Sequence, residues 1–164
     1  MRKAHLWWII PVCLLLLFTL TRNIFPSEID DVCPEIPCSE IEKYNPDILW
    51  VIPDYNGILI NKTWCDEILK LNKTVGMHGI NHDYQEFLGN ITQEQLENGV
   101  RTFTDCFNQA PTKFKPPQLA ISNENKELIK ENNLSLKLEF NQLFHKVYHC
   151  QDTGLFPNWF VRII

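Results

Sequence analysis

The sequence predicts an α/β fold in which short strands alternate with helices. Residues 48–53 form a compact apolar run that ends at a proline, which is typical of a buried strand. A capping-box pattern at Thr92 and Gln95, followed by apolar residues at helical spacing, predicts a helix over residues 92–107. Apolar and polar residues then alternate over residues 134–140, which predicts another strand. Such alternation indicates a mostly parallel sheet with helices packed on it.

The remaining segments fit the same alternation. Residues 63–71 place apolar side chains on one helical face, residues 75–78 form a short apolar strand end, and Ser122 can cap a further helix. Asp54 and His78 each follow a strand-like run. Because functional loops of parallel sheets follow the carboxyl ends of the strands, we expect a site at these exits.

The first 22 residues predict a secretory signal that forms a hydrophobic helix. Residues 1–5 carry the basic flank, and residues 6–20 contain no charged side chain. Residues 19–23 offer no obvious small-x-small cleavage site, so we expect residues 1–22 to be an uncleaved signal anchor, with a cleaved signal peptide as the alternative. The protein would then be a single-pass membrane protein with its remainder in a lumen or outside the cell, or a secreted protein if the leader is removed.

Composition and length limit the remaining possibilities. A chain of 164 residues has room for one domain, which we assign to residues 28–164. The formal net charge of -5 and the lack of a basic stripe argue against nucleic acid as a partner.

Translocation is also indicated by glycosylation sequons and by cysteines. Five cysteines lie beyond the apolar segment, so an oxidising lumen would pair some of them and leave one over. Cys33 and Cys38 are near enough in sequence to bridge each other, but the connectivity stays open. Four asparagines stand in N-glycosylation triplets: Asn61, Asn72, Asn90 and Asn133.

Two histidines and an upstream pair of aspartates are the candidate metal site. His78 and His82 lie four residues apart, and Asp30 and Asp31 are adjacent. Two imidazoles and one carboxylate are enough to hold a metal ion and leave positions open for water and substrate. This donor set predicts metal-assisted hydrolysis, with non-haem iron chemistry as an alternative use of the same residues.

An ordered set of motifs surrounds these residues. Residues 29–32 are Ile-Asp-Asp-Val, residues 51–54 are Val-Ile-Pro-Asp, and residues 78–82 are His-Gly-Ile-Asn-His, with Glu-Phe at residues 86–87. The set resembles the polysaccharide deacetylases of carbohydrate esterase family four, in particular a divergent branch of that superfamily. The similarity covers most of residues 28–140. It implies an irregular or partial (β/α) barrel after the N-terminal hydrophobic helix.

The resemblance also implies roles for the candidate residues. A divalent ion, expected to be Zn²⁺, would be held by Asp31, His78 and His82, and Asp30 would be the general base. A late histidine would protonate the departing sugar amine, and either His149 or His145 could take that role.

The third motif departs from the family pattern. In the segment Phe-Lys-Pro-Pro at residues 114–117, Lys115 and Pro116 are the expected substrate-binding residues. The family usually has arginine in place of Lys115 and tyrosine after the two prolines, where this chain has Gln118. A lysine can supply positive charge near Asp30, but it lacks the planar two-pronged contact of arginine.

These observations predict a hydrolase that removes N-acetyl or O-acetyl groups from a glycan. The region after the anchor is short for a complete barrel, which usually takes about 200 residues or more. A shortened, catalytically inactive relative that binds a glycan or another partner is therefore the first alternative. A small membrane glycoprotein without chemistry, in which the histidines are incidental, is a further alternative.

Overall fold

A computed structural model describes residues 6–138 and 145–164 of the chain. The strands are β1 (Glu28–Val32), β2 (Ile48–Val51), β3 (Asp54–Tyr55), β4 (Ile58–Leu59), β5 (Thr74–His78), β6 (Lys113–Lys115), β7 (Ser135–Leu136) and β8 (Val147–His149). The helices are α1 (Leu6–Ile24), α2 (Glu40–Tyr44), α3 (Lys62–Lys70), α4 (Gln93–Phe107), α5 (Asn123–Glu131) and α6 (Asn158–Ile163). Short 3₁₀ turns cover Pro117–Leu119 and Cys150–Asp152.

Six of the strands form one parallel sheet in the order β7-β6-β5-β2-β1-β8, and β3 and β4 form a separate antiparallel hairpin. Strands β1, β2, β5, β6 and β7 follow one another across the sheet, while β8 returns to pair with the other side of β1. The predicted α/β fold with a mostly parallel sheet is confirmed. In the part of the chain that the structure describes, β7 and β8 are the two edges of an open sheet, so the barrel is not confirmed.

The predicted helix starts are confirmed by their caps. Thr92 and Gln95 form a capping box in which each side chain accepts a backbone N–H of the other residue. The Ser122 hydroxyl accepts from the amide of Asn125 at the start of α5. The predicted strand at residues 134–140 is shorter than expected, because β7 covers two residues; residues 139–144 lie outside the described part.

The core of the sheet is built around Trp50 in β2, which is fully buried. Its indole ring lies against Gly76 of β5, where a Cβ atom would collide with the ring. The indole Nε1 donates to the Glu28 carboxylate at 2.8 Å. Glycine at position 76 therefore leaves room for the Trp50 ring in the orientation that reaches Glu28 on the other neighbouring strand.

Two disulfides join distant segments of the domain. Cys38 is bonded to Cys150, and Cys65 is bonded to Cys106. Cys33 is buried with a free thiol, so the suggested bridge between Cys33 and Cys38 is wrong. Pairing of β8 with β1 brings Cys150 beside Cys38, a proximity that sequence spacing does not reveal. Of the five cysteines beyond the apolar segment, Cys33 is the one left without a disulfide, and one such cysteine was expected.

The N-terminal helix α1 extends two residues beyond the predicted anchor. Its last turn packs on the domain, where Arg22 is buried and donates from Nη2 to the carbonyl of Val161 in α6 at 2.8 Å. Among the described residues, no helix combines the length and hydrophobicity needed to cross a bilayer.

Candidate metal centre

The carboxyl ends of adjacent strands bring the polar residues together. Asp30 and Asp31 lie near the end of β1, His78 ends β5, Lys115 ends β6 and His149 ends β8. Neighbouring residues of a regular strand point to opposite faces. A register shift in β1 and a φ of 66° at Asp31 interrupt that alternation, which lets both aspartates line the same cavity.

Asp31, His78 and His82 converge on one point. One potential ligand atom from each of the three residues lies within 4.8 Å of the other two. Asp31 Oδ1 is 3.5 Å from His78 Nε2 and 3.0 Å from His82 Nε2. The three predicted ligands are thus brought together as a set of one carboxylate oxygen and two imidazole nitrogens.

Hydrogen bonds behind the three side chains fix how they point. His78 Nδ1 lies 3.0 Å from the carbonyl oxygen of Lys115, so Nδ1 donates to that oxygen and Nε2 faces the site. The Thr153 hydroxyl donates to Asp31 Oδ2 at 3.0 Å, which leaves Oδ1 toward the histidines. Oriented nitrogen and oxygen donors of this type fit a divalent metal ion.

The electrostatics of the three residues also favour a cation. Burial alone would raise the pKa of Asp31, but hydrogen bonds from His78 and His82 outweigh it and hold that pKa well below its usual range. Burial alone would lower the pKa of His78, but the bond to Asp31 and the charge of Asp30 raise it overall. The negative charge of the two aspartates that raises the pKa of His78 also attracts a metal cation to this point.

Beside the triad, Asp30 belongs to a buried network of charges. Lys115 Nζ donates to Asp30 Oδ1 at 2.8 Å and to Glu28 Oε2 at 3.1 Å. The Trp50 indole N–H donates to the same Glu28 oxygen. Burial alone would lower the pKa of Lys115, but the two carboxylates outweigh it and raise that pKa.

His149 is the remaining titratable side chain in the cavity. Its Nε2 lies 3.6 Å from Asp30 Oδ2, on the side of Asp30 away from Lys115. Burial lowers the pKa of His149 and outweighs the opposing effect of Asp30. Asn158 holds the backbone of this residue, since its side chain accepts from the His149 amide and donates to the His149 carbonyl. His145, the other candidate, packs its ring on Phe25 and does not line the cavity.

A cavity of roughly 350 Å³ is lined by the three candidate metal ligands and by Asp30, Lys115 and His149. Lys115, which is buried against Asp30, and the neighbouring Pro116 both line this cavity. Leu119 and Leu155 add apolar surface to the lining. Sequence reasoning missed Glu28 and Thr153, because neither belongs to a motif and both act through residues distant in the chain. The four sequon asparagines are exposed, as a modification would require: Asn61, Asn72, Asn90 and Asn133.

No family model and no curated protein matches the sequence, but solved structures match the fold. A mutant of BA3943, a CE4 (carbohydrate esterase family four) pseudoenzyme from Bacillus anthracis, matches with a TM-score of 0.51 and 16% identity over 67% of this chain and 42% of that chain. The polysaccharide deacetylase Bc1974 from Bacillus cereus matches with a TM-score of 0.46 and 10% identity over 67% and 55% of the two chains. The Xyl-CE4 domain of a multidomain xylanase from the hindgut metagenome of Trinervitermes trinervoides matches with a TM-score of 0.43 and 14% identity over 63% and 51%.

The comparison defines the class of fold. Of these three matches, the first has a TM-score above 0.5, and at 16% identity the likeness concerns the fold alone. This chain spans less than half the length of the BA3943 chain, of which it covers 42%. Over about two thirds of its own residues, the chain has the fold of a CE4 family protein, the family that its sequence motifs resemble.

Proposed function

We propose that the protein is a metal-dependent hydrolase that removes acetyl groups from a glycan. The observation that carries this proposal is the convergence of Asp31, His78 and His82 beside Asp30 in one cavity. The fold shared with a CE4 family protein, together with motifs that resemble the polysaccharide deacetylases of that family, supports the acetylated glycan as the substrate class.

In the proposed enzyme, Asp31, His78 and His82 hold a divalent ion, and Zn²⁺ is the ion we propose. Three nitrogen and oxygen ligands leave a position open, as catalytic zinc sites require. When bound, such an ion lowers the pKa of a coordinated water and polarises the acetyl carbonyl.

Asp30 is the proposed general base. Lys115 occupies Oδ1 of this carboxylate, so Oδ2 is the oxygen that accepts the proton of the attacking water. Because Lys115 is anchored by Glu28 as well, the carboxylate has a fixed direction in the cavity. Precise placement of a base in this way reduces the entropy that the reaction must lose.

His149 is the proposed general acid for the departing sugar amine. With a lowered pKa, protonated His149 gives up its proton readily. Its Nε2 lies 3.6 Å from Asp30 Oδ2, so a small side-chain movement suffices for a proton taken by Asp30 to reach the imidazole. Lys115 and Pro116 border the same cavity, and we propose that Pro116 contacts the sugar.

Metal analysis combined with acetate release from acetylated oligosaccharides tests the proposal on the full chain. Wild-type protein should bind about one zinc per chain and release acetate. His82→Ala should lose both, whereas Asp30→Asn should keep the metal and lose turnover by about 10²- to 10⁴-fold. His145→Ala is the matched control, because this histidine lies outside the cavity and should change neither property.

Two results would contradict the proposal. Wild-type protein without stoichiometric metal would remove its basis, and acetate release by Asp30→Asn at the wild-type rate would remove the assigned base. A chain that binds zinc but releases no acetate would instead be an inactive relative. BA3943 is a precedent, since that CE4 protein is itself a pseudoenzyme.

A further inference from the structure

The position of His82 is set by a loop without regular secondary structure. His78 ends β5, and residues 79–82 are neither helix nor strand. His82 itself has a φ of 62°, in the left-handed region. The four-residue spacing between the histidines is therefore not the spacing of a helix face, and another feature must hold this loop in place.

The carboxylate of Glu86 is at the centre of the loop. It accepts three consecutive backbone N–H groups, from Ile80 at 3.1 Å, from Asn81 at 2.9 Å and from His82 at 3.3 Å. Successive N–H groups pointing inward form a concave anion site. In this chain the anion that occupies the site is the Glu86 carboxylate itself.

Gly79 lets the carboxylate come this close. A Cβ atom at this position would lie 2.5 Å from Glu86 Oε2 and 2.7 Å from Pro117 Cγ, and the φ of 65° favours glycine. The backbone that carries Glu86 is itself anchored, because Phe87 is fully buried against Phe114. Glu86 thus connects the core to the loop that carries His82.

We propose that Glu86 is a positioning residue of the metal centre, which holds His82 in ligating geometry through its backbone. The inference rests on the proposed metal site and deepens it. The side chain binds the amides of the loop, and its effect on the metal is exerted through the direction of the His82 imidazole. Loss of a supporting residue of this kind typically weakens metal binding by about 10- to 100-fold.

Zinc affinity of the full chain, measured by competition with a chromophoric chelator, tests the proposal. Glu86→Gln should raise the zinc dissociation constant by about 10- to 100-fold, because its amide NH₂ faces backbone donors where an acceptor is needed. Asp83→Asn is the matched control, since it removes one negative charge from the same loop at an exposed residue. We expect it to change the constant by less than about threefold.

A second measurement separates positioning from general stabilisation. In metal-free protein, hydrogen exchange of the Ile80, Asn81 and His82 amides should accelerate in Glu86→Gln while exchange in the core strands stays slow. The visible spectrum of bound Co²⁺ should also change in that variant but not in Asp83→Asn. Should Glu86→Gln fail to fold, Glu86→Asp keeps the charge but shortens the side chain, and it should show the same changes in smaller degree.

The outcomes distinguish this inference from the proposed hydrolase. Equal zinc affinity of wild type and Glu86→Gln, or equal weakening in Asp83→Asn, would overturn the positioning role. A wild-type chain that binds zinc tightly but releases no acetate contradicts the hydrolase and leaves the role of Glu86 standing. A wild-type chain that binds no zinc contradicts both.

Discussion

Replacement of Lys115 by methionine tests the buried charge network beneath the site. The ammonium group lies 2.8 Å from Asp30 and 3.1 Å from Glu28, and the Lys115 side chain is 5% exposed. Methionine fills nearly the same space without the charge, so the substitution isolates the electrostatic contribution. Because the Lys115 pKa is raised, the wild-type lysine stays charged throughout the neutral range.

The expected loss of stability follows from the burial of the carboxylates. Removal of one partner from a buried ion pair typically costs about 3–5 kcal/mol. Here two buried carboxylates would lose their cation, so we expect about 4–5 kcal/mol at pH 8.

Urea unfolding followed by tryptophan fluorescence at pH 8 measures the effect. Lys130→Met is the control, because that side chain is 78% exposed and contacts Glu127 at 3.5 Å. We expect the control to change the free energy of unfolding by less than about 0.5 kcal/mol. An unchanged urea midpoint for Lys115→Met at pH 8 would refute the argument, as would equal losses in the two variants.

Three further predictions concern titration and thiols. Zinc affinity should weaken as the pH falls below neutral, because the pKa of His78 is raised and its proton must leave before the metal binds. Calorimetry in buffers of different ionisation enthalpy measures how many protons are released on zinc binding. Burial lowers the pKa of His149, so the unfolded chain gains a proton first as the pH falls below about 6.5, and stability should decline there. His149→Gln should flatten that decline in urea titrations, and an unaltered slope would contradict it. In native protein a thiol reagent should modify the exposed Cys13 quickly and the buried Cys33 only after unfolding, which mass spectrometry can verify.

Much of the candidate site could be predicted from local sequence signals. His78 ends the short apolar strand that the sequence predicts, whereas Asp31 lies near the end of β1, a strand that was not predicted from the sequence. The motif order then indicated which of these residues meet. The caps at Thr92 and Ser122 were equally accessible, since a capping interaction joins residues three positions apart.

The parts that escaped prediction depend on tertiary contacts. From the sequence, Glu28 is indistinguishable from a surface charge, because its contacts with Trp50 and Lys115 form only in the folded domain. Thr153 reaches Asp31 only because β8 pairs with β1. The same pairing sets the Cys38–Cys150 bridge, which sequence spacing gave no reason to prefer.

The pairing of β8 with β1 has a consequence for the order of folding. Glu28 of β1 pairs with Val147 of β8, so one side of β1 stays unpaired during synthesis until more than a hundred further residues have been made. Until then its unpaired N–H and C=O groups form an open edge that other chains can join. Contacts this distant also slow folding, because a long loop must close before they form. A nascent chain of this protein is therefore prone to aggregate until β8 pairs with β1.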